Sequence, residues 1–88
     1  MKMIFAIVRD ADDSGVLDQL IAQGFRVTRV ATTGGFLRRG NVTLLIGVET
    51  EQRVQEAIDI LRNTCGPPDP QQHCATVFVV NAEHFEQV

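Results

Sequence analysis

Long apolar segments are missing from this 88-residue sequence. The longest uninterrupted apolar run, Met3–Val8, is far shorter than the roughly 18–20 residues that a membrane-spanning helix needs. The sequence also lacks the pattern of a secretion signal, in which a basic start precedes an apolar core and a small-residue cleavage site. We therefore expect a soluble, cytoplasmic protein without membrane insertion.

Basic residues are scarce, and lysine most of all. Lys2 is the only lysine, eight Lys and Arg face eleven Asp and Glu, and the formal net charge is −3. Proteins that bind the DNA or RNA backbone generally carry a basic excess, so we expect no nucleic-acid partner. A stretch without acidic residues does, however, hold four of the arginines: Arg26, Arg29, Arg38 and Arg39. Such a small basic region on an acidic domain suits a compact anionic ligand.

Cysteine is too scarce for a disulfide-rich secreted fold. Cys65 and Cys74 bracket a proline-rich segment, so they can meet across a turn. We interpret them as two reduced thiols, because the cytosol disfavours disulfides. The alternative is a metal site that includes His73, but it lacks the paired spacing and the fourth ligand of structural zinc sites.

The hydrophobic fraction of 44% excludes a disordered chain, and the length allows one domain, residues 1–88. The hydrophobic pattern predicts strands at Met3–Val8, Phe25–Thr33, Val42–Val48 and Ala75–Val80. Asp13 and Thr50 are the predicted N-caps of two helices, and Gly24 ends the first. Four residues form the apolar stripe of the second helix: Val54, Ala57, Ile58 and Leu61. The order predicts an α+β, ferredoxin-like βαββαβ sandwich, a four-stranded antiparallel sheet with two helices on one face.

The predicted sheet is apolar on both faces. On the first strand Ile4, Ala6 and Val8 alternate with Met3, Phe5 and Ile7. A sheet with one face in water should instead alternate apolar and polar residues. Because two helices cover only one face, we expect another copy of the chain to cover the other. The pattern thus predicts an oligomer but leaves its order open.

Catalytic machinery is not apparent in the sequence. The usual nucleophile and base candidates are the two cysteines and two histidines, and no local pattern gives any of them an orienting carboxylate. We interpret Asp10, Asp12 and Asp13 as residues of a helix start rather than as a cation site. Neither the phosphate loop nor the dinucleotide fingerprint occurs. We therefore expect a protein that is not an enzyme and has no catalytic residues, metal or cofactor.

The most informative segment runs from Arg26 to Asn41 and reads RVTRVATTGGFLRRGN. Its glycines allow successive backbone N–H groups to point at an anion, and its threonines and arginines add hydrogen bonds and charge. Phe36 is either a loop anchor that packs on its own domain or a platform for a nucleobase. Together these features are typical of a site for a ligand with phosphate and base.

At these residues the sequence resembles the PII-like cyclic-di-AMP receptors, small bacterial signal-transduction proteins related in fold to the nitrogen-regulatory PII proteins. The resemblance runs through MKMIFAIVRDAD, ATTGGFLRRGN, VTLLIGVE, ATVFVV and HFEQV, and so covers nearly the whole chain. It implies a homotrimer of ferredoxin-like subunits with nucleotide sites in the clefts between neighbours.

The resemblance also implies which residues bind the nucleotide. Arg26 and Thr28 match positions that contact the phosphate and a base edge, and Asn41 matches a polar contact at the end of the loop. Gly47 matches a place where a side chain would collide with the base. The remaining positions are Gly35, Phe36 and Leu37, in the loop that wraps the nucleotide, and Phe78 and Gln87, which complete the pocket.

The sequence departs from the family pattern at one place. Relatives carry a longer, glycine-rich loop between the second helix and the last strand, where this chain has only the segment from Cys65 to Cys74. The short segment leaves the downstream protein and the identity of the ligand open. The leading hypothesis is a cyclic-di-AMP sensor. The alternatives are a PII-like protein that binds ATP or another mononucleotide, and a structural or interaction trimer with no nucleotide ligand.

Overall fold

The computed structural model describes residues 1–30, 41–65 and 74–88. Within these ranges the chain is an α+β domain whose elements follow the order βαββαβ. They are β1 (Lys2–Arg9), α1 (Asp13–Ala22), β2 (Arg26–Val30), β3 (Asn41–Val48), α2 (Glu51–Thr64) and β4 (Ala75–Asn81). The element order predicted from the sequence is confirmed.

The four strands form one antiparallel sheet in the order β2-β3-β1-β4. The two central strands, β1 and β3, are the most uniformly apolar, because each has a neighbour on both sides and a helix layer over one face. β2 and β4 are the edge strands. This strand order agrees with the predicted ferredoxin-like arrangement, while assembly into a trimer remains a prediction.

One face of the sheet packs against both helices and forms the core. Ile4, Ala6 and Val8 of β1 are fully buried, as are Leu44 and Ile46 of β3. The helices contribute five more residues of the buried cluster from their inner faces, namely Val16, Leu20, Val54, Ala57 and Leu61. The predicted stripe of α2 is therefore confirmed, and Ile58 is half-buried against the same cluster.

The two helices begin in different ways. Thr50 caps α2 as predicted, because its Oγ1 accepts a hydrogen bond from the Arg53 backbone N–H at 3.2 Å. The predicted cap at Asp13 is wrong, since Asp13 is the first residue of α1 and Asp12 occupies the cap position without a side-chain cap. The Asp13 carboxylate is 7% exposed and accepts a hydrogen bond from Arg29 Nε at 2.5 Å. This ion pair joins the start of α1 to β2.

The Asp13 carboxylate also holds Arg29 in its charged form. Its hydrogen bond and then its negative charge raise the pKa of the Arg29 guanidinium above the ordinary value, and the charge of Asp10 adds to this. Because the pKa of this cationic group is raised, the Arg29 side of the pair stays charged until the solution is strongly alkaline. The link from α1 to β2 is thus independent of pH near neutrality.

The element ends differ slightly from the prediction. Gly24, with a φ of 85°, turns the chain from α1 into β2, as predicted for a residue without a side chain. Asn41, predicted as the end of a loop, is the first residue of β3. The predicted end of β2 at Thr33, the loop from Gly34 to Gly40 and the histidine at 73 lie outside the described residues.

The cysteine prediction needs correction. Cys65 follows α2 and Cys74 precedes β4, their Cα atoms are 5.9 Å apart, and their sulfurs are joined in a disulfide. This separation is ordinary for a disulfide. The interpretation as two reduced thiols is therefore wrong for this structure, because the packing of α2 on the sheet brings the two ends together.

In the described ranges no cluster of His, Cys, Asp and Glu is arranged to hold a metal ion. None of the helices described there has the length and apolar character to cross a membrane.

Leu20→Ala tests the position of the core. Leu20 on α1 is fully buried, so the loss of its side chain leaves a cavity that should lower the free energy of unfolding by about 2–5 kcal/mol in urea denaturation. The neighbouring Ile21 is 56% exposed and serves as the matched control. Ile21→Ala should change the free energy by less than about 0.5 kcal/mol. Equal losses in the two variants would contradict the orientation of α1.

Candidate functional site

The second face of the sheet, which we call the open face, carries neither of the two described helices. Strand alternation places on it the β1, β3 and β4 residues Met3, Phe5, Ile7, Thr43, Leu45, Gly47, Thr76, Phe78 and Val80. Arg26, Thr28 and Val30 of β2 share this face. Phe78 and Val80 are 52% and 45% exposed. The predicted apolar character of both faces is confirmed, and one of them lies open in the single chain.

A glycine creates a depression in the open face. The strand register aligns Met3, Gly47 and Arg26 in one row across β1, β3 and β2. Because Gly47 has no side chain of its own, the row is lower at its centre, and the end of the Met1 side chain lies against it. A Cβ at this position would meet the Met1 Cε at 3.2 Å, which is the mobile end of a flexible side chain. The depression is thus bounded by Met1, Met3 and Arg26.

A cavity of about 670 Å³ opens at this end of the sheet, where β2 begins and β3 ends. Four residues predicted to bind the ligand line it: Arg26, Thr28, Gly47 and Gln87. The C-terminal segment brings Gln87 and Phe85 to the cavity, and Ala82 anchors that segment by donating its N–H to the Met1 carbonyl at 3.0 Å. The cavity volume of about 670 Å³ lies within the range of about 300–1,000 Å³ that is usual for small-molecule sites.

Two arginines line the cavity, and their surroundings differ. Arg26 is exposed, and within the described ranges no carboxylate forms an ion pair with it. Arg53, on the first turn of α2, is held on three sides. Its guanidinium lies 3.8 Å over the Phe25 ring, and it donates to the Gln23 carbonyl at 2.9 Å and to Glu56 at 2.6 Å. Arg26 is therefore the side chain free to meet an anion, whereas the charge of Arg53 is already balanced by Glu56.

The sequence analysis did not identify Arg53, Phe25 or Phe85 as part of this cavity. Arg53 stands three residues after the helix cap, where a charged residue is usually in solvent. The sequence does contain one signal for this contact. Phe25 stands directly before β2, and an arginine on a neighbouring element can cover such a ring through a cation–π contact. The first turn of α2 lies beside the start of β2 because of the tertiary fold, and no local pattern in the sequence predicts this contact.

The other described site residues lie elsewhere on the open face. Asn41 pairs with Arg9 at the far end of β3, and at about 3.4 Å per residue it lies roughly 20 Å from Gly47. Phe78 belongs to the same cross-strand row as Thr28, but β1 and β3 separate their strands by about 14 Å. One chain therefore places all these residues on one face without bringing them into one pocket. Gly35, Phe36 and Leu37 lie outside the described residues.

Comparisons with known proteins agree with this architecture. A family model described as cyclic-di-AMP receptor matches residues 1–70. The crystal structure of a functionally unknown protein from Pediococcus pentosaceus ATCC 25745 is similar to this chain, with 37% sequence identity and a TM-score of 0.79. That similarity covers 99% of this chain and 96% of the other, so it includes β4 and the C-terminal segment that lie beyond the family match.

Arg53→Lys tests the fixed arginine. Lysine keeps the charge but lacks the planar guanidinium that lies on Phe25 and donates to two partners at once. We expect the free energy of unfolding to fall by about 1–2 kcal/mol in urea denaturation. Arg62→Lys is the matched control, because Arg62 is largely exposed on the same helix and pairs only with Asp59 among the described residues. A loss of the same size in both variants would contradict the role given to Arg53.

Proposed function

The chain belongs to the cyclic-di-AMP receptor family, and from this membership and the cavity on the open face we propose that it is a PII-like signal-transduction protein that binds cyclic-di-AMP. The observation that carries the proposal is the convergence of Arg26, Thr28, Gly47 and Gln87 on one cavity. In this role the nucleotide is a signal rather than a substrate, so the protein acts as a receptor in the bacterial cytoplasm and not as an enzyme.

The chemistry of the cavity suits a cyclic dinucleotide. The ligand has two singly charged phosphates and two flat bases. Arg26, which forms no ion pair with a described carboxylate, supplies a charge-assisted hydrogen bond to a phosphate. The Thr28 hydroxyl and the Gln87 amide both donate and accept, as the edge of an adenine requires. The depression at Gly47 leaves room for the plane of a base.

We further propose that the protein is a homotrimer and that each nucleotide site forms between two subunits. In a cyclic assembly the same two surfaces meet at every interface, so the β2 edge of one copy lies against the β4 edge of the next. This arrangement brings Phe78 of one subunit toward Arg26 and Thr28 of its neighbour. It also buries the side chains of Phe78 and Val80, which the described residues of a single chain leave about half exposed.

Variants of the cavity test the ligand. Arg26→Ala removes a charge-assisted contact of about 1.5–3 kcal/mol, so the affinity for cyclic-di-AMP should fall roughly 10- to 100-fold in calorimetric titration. Gly47→Ala should also weaken binding, because a methyl group fills the depression, while the fold adapts through a small shift of the Met1 side chain. Arg62→Ala, on the exposed side of α2, should bind as the wild type does.

The same titration separates the competing ligands. ATP carries nearly four negative charges, which a cavity with Arg26 and Arg53 balances less well than the two charges of cyclic-di-AMP. Tighter binding of ATP would move the assignment to a mononucleotide receptor. Absence of binding by both nucleotides at tens of micromolar would favour an interaction trimer without a ligand.

Light scattering tests the assembly. The subunit mass is 9.7 kDa, and we expect a particle of three times this mass at micromolar concentration. The physical reason is the apolar open face, which a monomer would leave in water. A monomer at this concentration would contradict the trimer and with it any site built between subunits.

A further inference from the structure

The backbone of Arg9 joins the starts of two strands at the end of the sheet opposite the cavity. Arg9 is the partner of Asn41 in the β1–β3 ladder, at the first residue of β3. On its other side the Arg9 N–H donates to the Cys74 carbonyl at 3.1 Å, just before β4 begins. Since neighbouring strands are about 4.8 Å apart, Asn41 and Cys74 are separated by roughly 10 Å with Arg9 between them.

Side chains make a second connection between Arg9 and Cys74, by way of Asp12. Arg9 Nε donates to Asp12 Oδ2 at 2.7 Å, and both side chains are largely buried, at 15% and 13% exposed. The Asp12 N–H donates to the Arg9 carbonyl at 2.9 Å. The Cys74 Sγ lies 3.7 Å from the same Asp12 Oδ2. We call Arg9, Asp12, Asn41 and Cys74 the junction.

The disulfide fixes the junction to the helix layer. Cys74 is bonded to Cys65, and the Cys65 N–H donates to the Leu61 carbonyl at the end of α2. Leu61 itself is 2% exposed in the core. With the disulfide intact, the position of Cys74 beside Asp12 is therefore set by α2. Without it, the described contacts that hold this end of the strand are the backbone bond from Arg9, the β4 ladder and the contact between the Cys74 sulfur and Asp12, and none of them joins Cys74 to α2.

We propose that the Cys65–Cys74 disulfide is a redox control on nucleotide binding, acting through Asp12 and Arg9 on Asn41. This inference rests on the proposed function and on the sequence-based expectation that Asn41 contacts the ligand. Proteins in reducing compartments seldom keep structural disulfides, and those that form there are usually transient or redox-sensing. A disulfide in contact with the carboxylate that holds Arg9, the strand partner of Asn41, couples such a change to the binding face.

The chemical step is thiol–disulfide exchange with a dithiol reductant. One thiolate of the reductant attacks one of the two sulfurs, the Cys65–Cys74 bond breaks, and a mixed disulfide forms. The second thiol of the reductant then displaces the cysteine. The protein gains two electrons and two protons as two thiols, and the reductant leaves as its own disulfide.

The oxidised protein should bind cyclic-di-AMP more tightly, because the disulfide holds the junction and Asn41 in place before the ligand arrives. Coupling between sites in proteins commonly changes affinity by about 5- to 150-fold, and we expect a weakening of about fivefold or more on reduction. The measurement is calorimetric titration of the full chain, oxidised with glutathione disulfide or reduced with dithiothreitol, with the thiols counted in each sample.

Three variants separate this control from a structural role. Cys65→Ser/Cys74→Ser should bind like the reduced wild type and should not respond to dithiothreitol. Asp12→Ala cuts the side-chain connection, so its response to the reductant should shrink to less than twofold. Asp59→Ala is the matched control, because Asp59 is an exposed carboxylate paired with Arg62 on α2, and it should keep the full response.

The outcomes distinguish this inference from the proposed function. Equal affinity in the two redox states would overturn the redox control and leave the receptor assignment intact, even if the melting temperature changed. No binding in either state would overturn both. Amide hydrogen exchange without ligand gives an independent readout: residues 41–43 should exchange faster after reduction. Unchanged exchange there would overturn the route through the junction.

Discussion

Burial of the apolar open face is the constraint on which the proposed assembly and the proposed site both depend. The helices α1 and α2 cover the two central strands on one side of the sheet, with Ile4, Leu44 and Ile46 fully buried beneath them. On the other side Phe78 and Val80 remain about half exposed. A domain of this size cannot easily leave apolar surface in water, because small domains bury a smaller fraction of their surface than large ones. Association of copies through the open face would cover these exposed side chains and would raise the fraction of surface that each domain buries.

The proposed assembly also accounts for the dispersal, within one chain, of the residues expected to bind the ligand. Arg26 and Thr28 stand on the β2 edge, Phe78 stands on the β4 edge, and apolar residues of β1 and β3 lie between them. In the cyclic trimer that we propose, the two edges would face different neighbours, so a single set of contacts would close the open face and complete three sites. The cavity at Gly47 is, in this proposal, the part of each site that one chain builds alone.

Much of the fold follows from local patterns in the sequence, and much of the site does not. Apolar alternation and the Thr50 cap predict the element order, because each depends on neighbouring residues. The cap at Asp13 was wrong because α1 already includes Asp13, whose carboxylate pairs with Arg29, a residue distant in sequence. The disulfide was missed because it depends on where α2 ends relative to β4. The Arg53 contact with Phe25 likewise has no local signal.

The central claim is that each nucleotide site takes Arg26 from one subunit and Phe78 from the next. Chains carrying Arg26→Ala and chains carrying Phe78→Ala should each bind cyclic-di-AMP poorly as pure trimers. After unfolding and refolding as an equal mixture, about a quarter of the interfaces should pair two intact edges and recover wild-type affinity. A mixture of Arg26→Ala and Thr28→Ala chains, altered on the same edge, should recover none. No recovery in the first mixture would contradict a site shared between subunits.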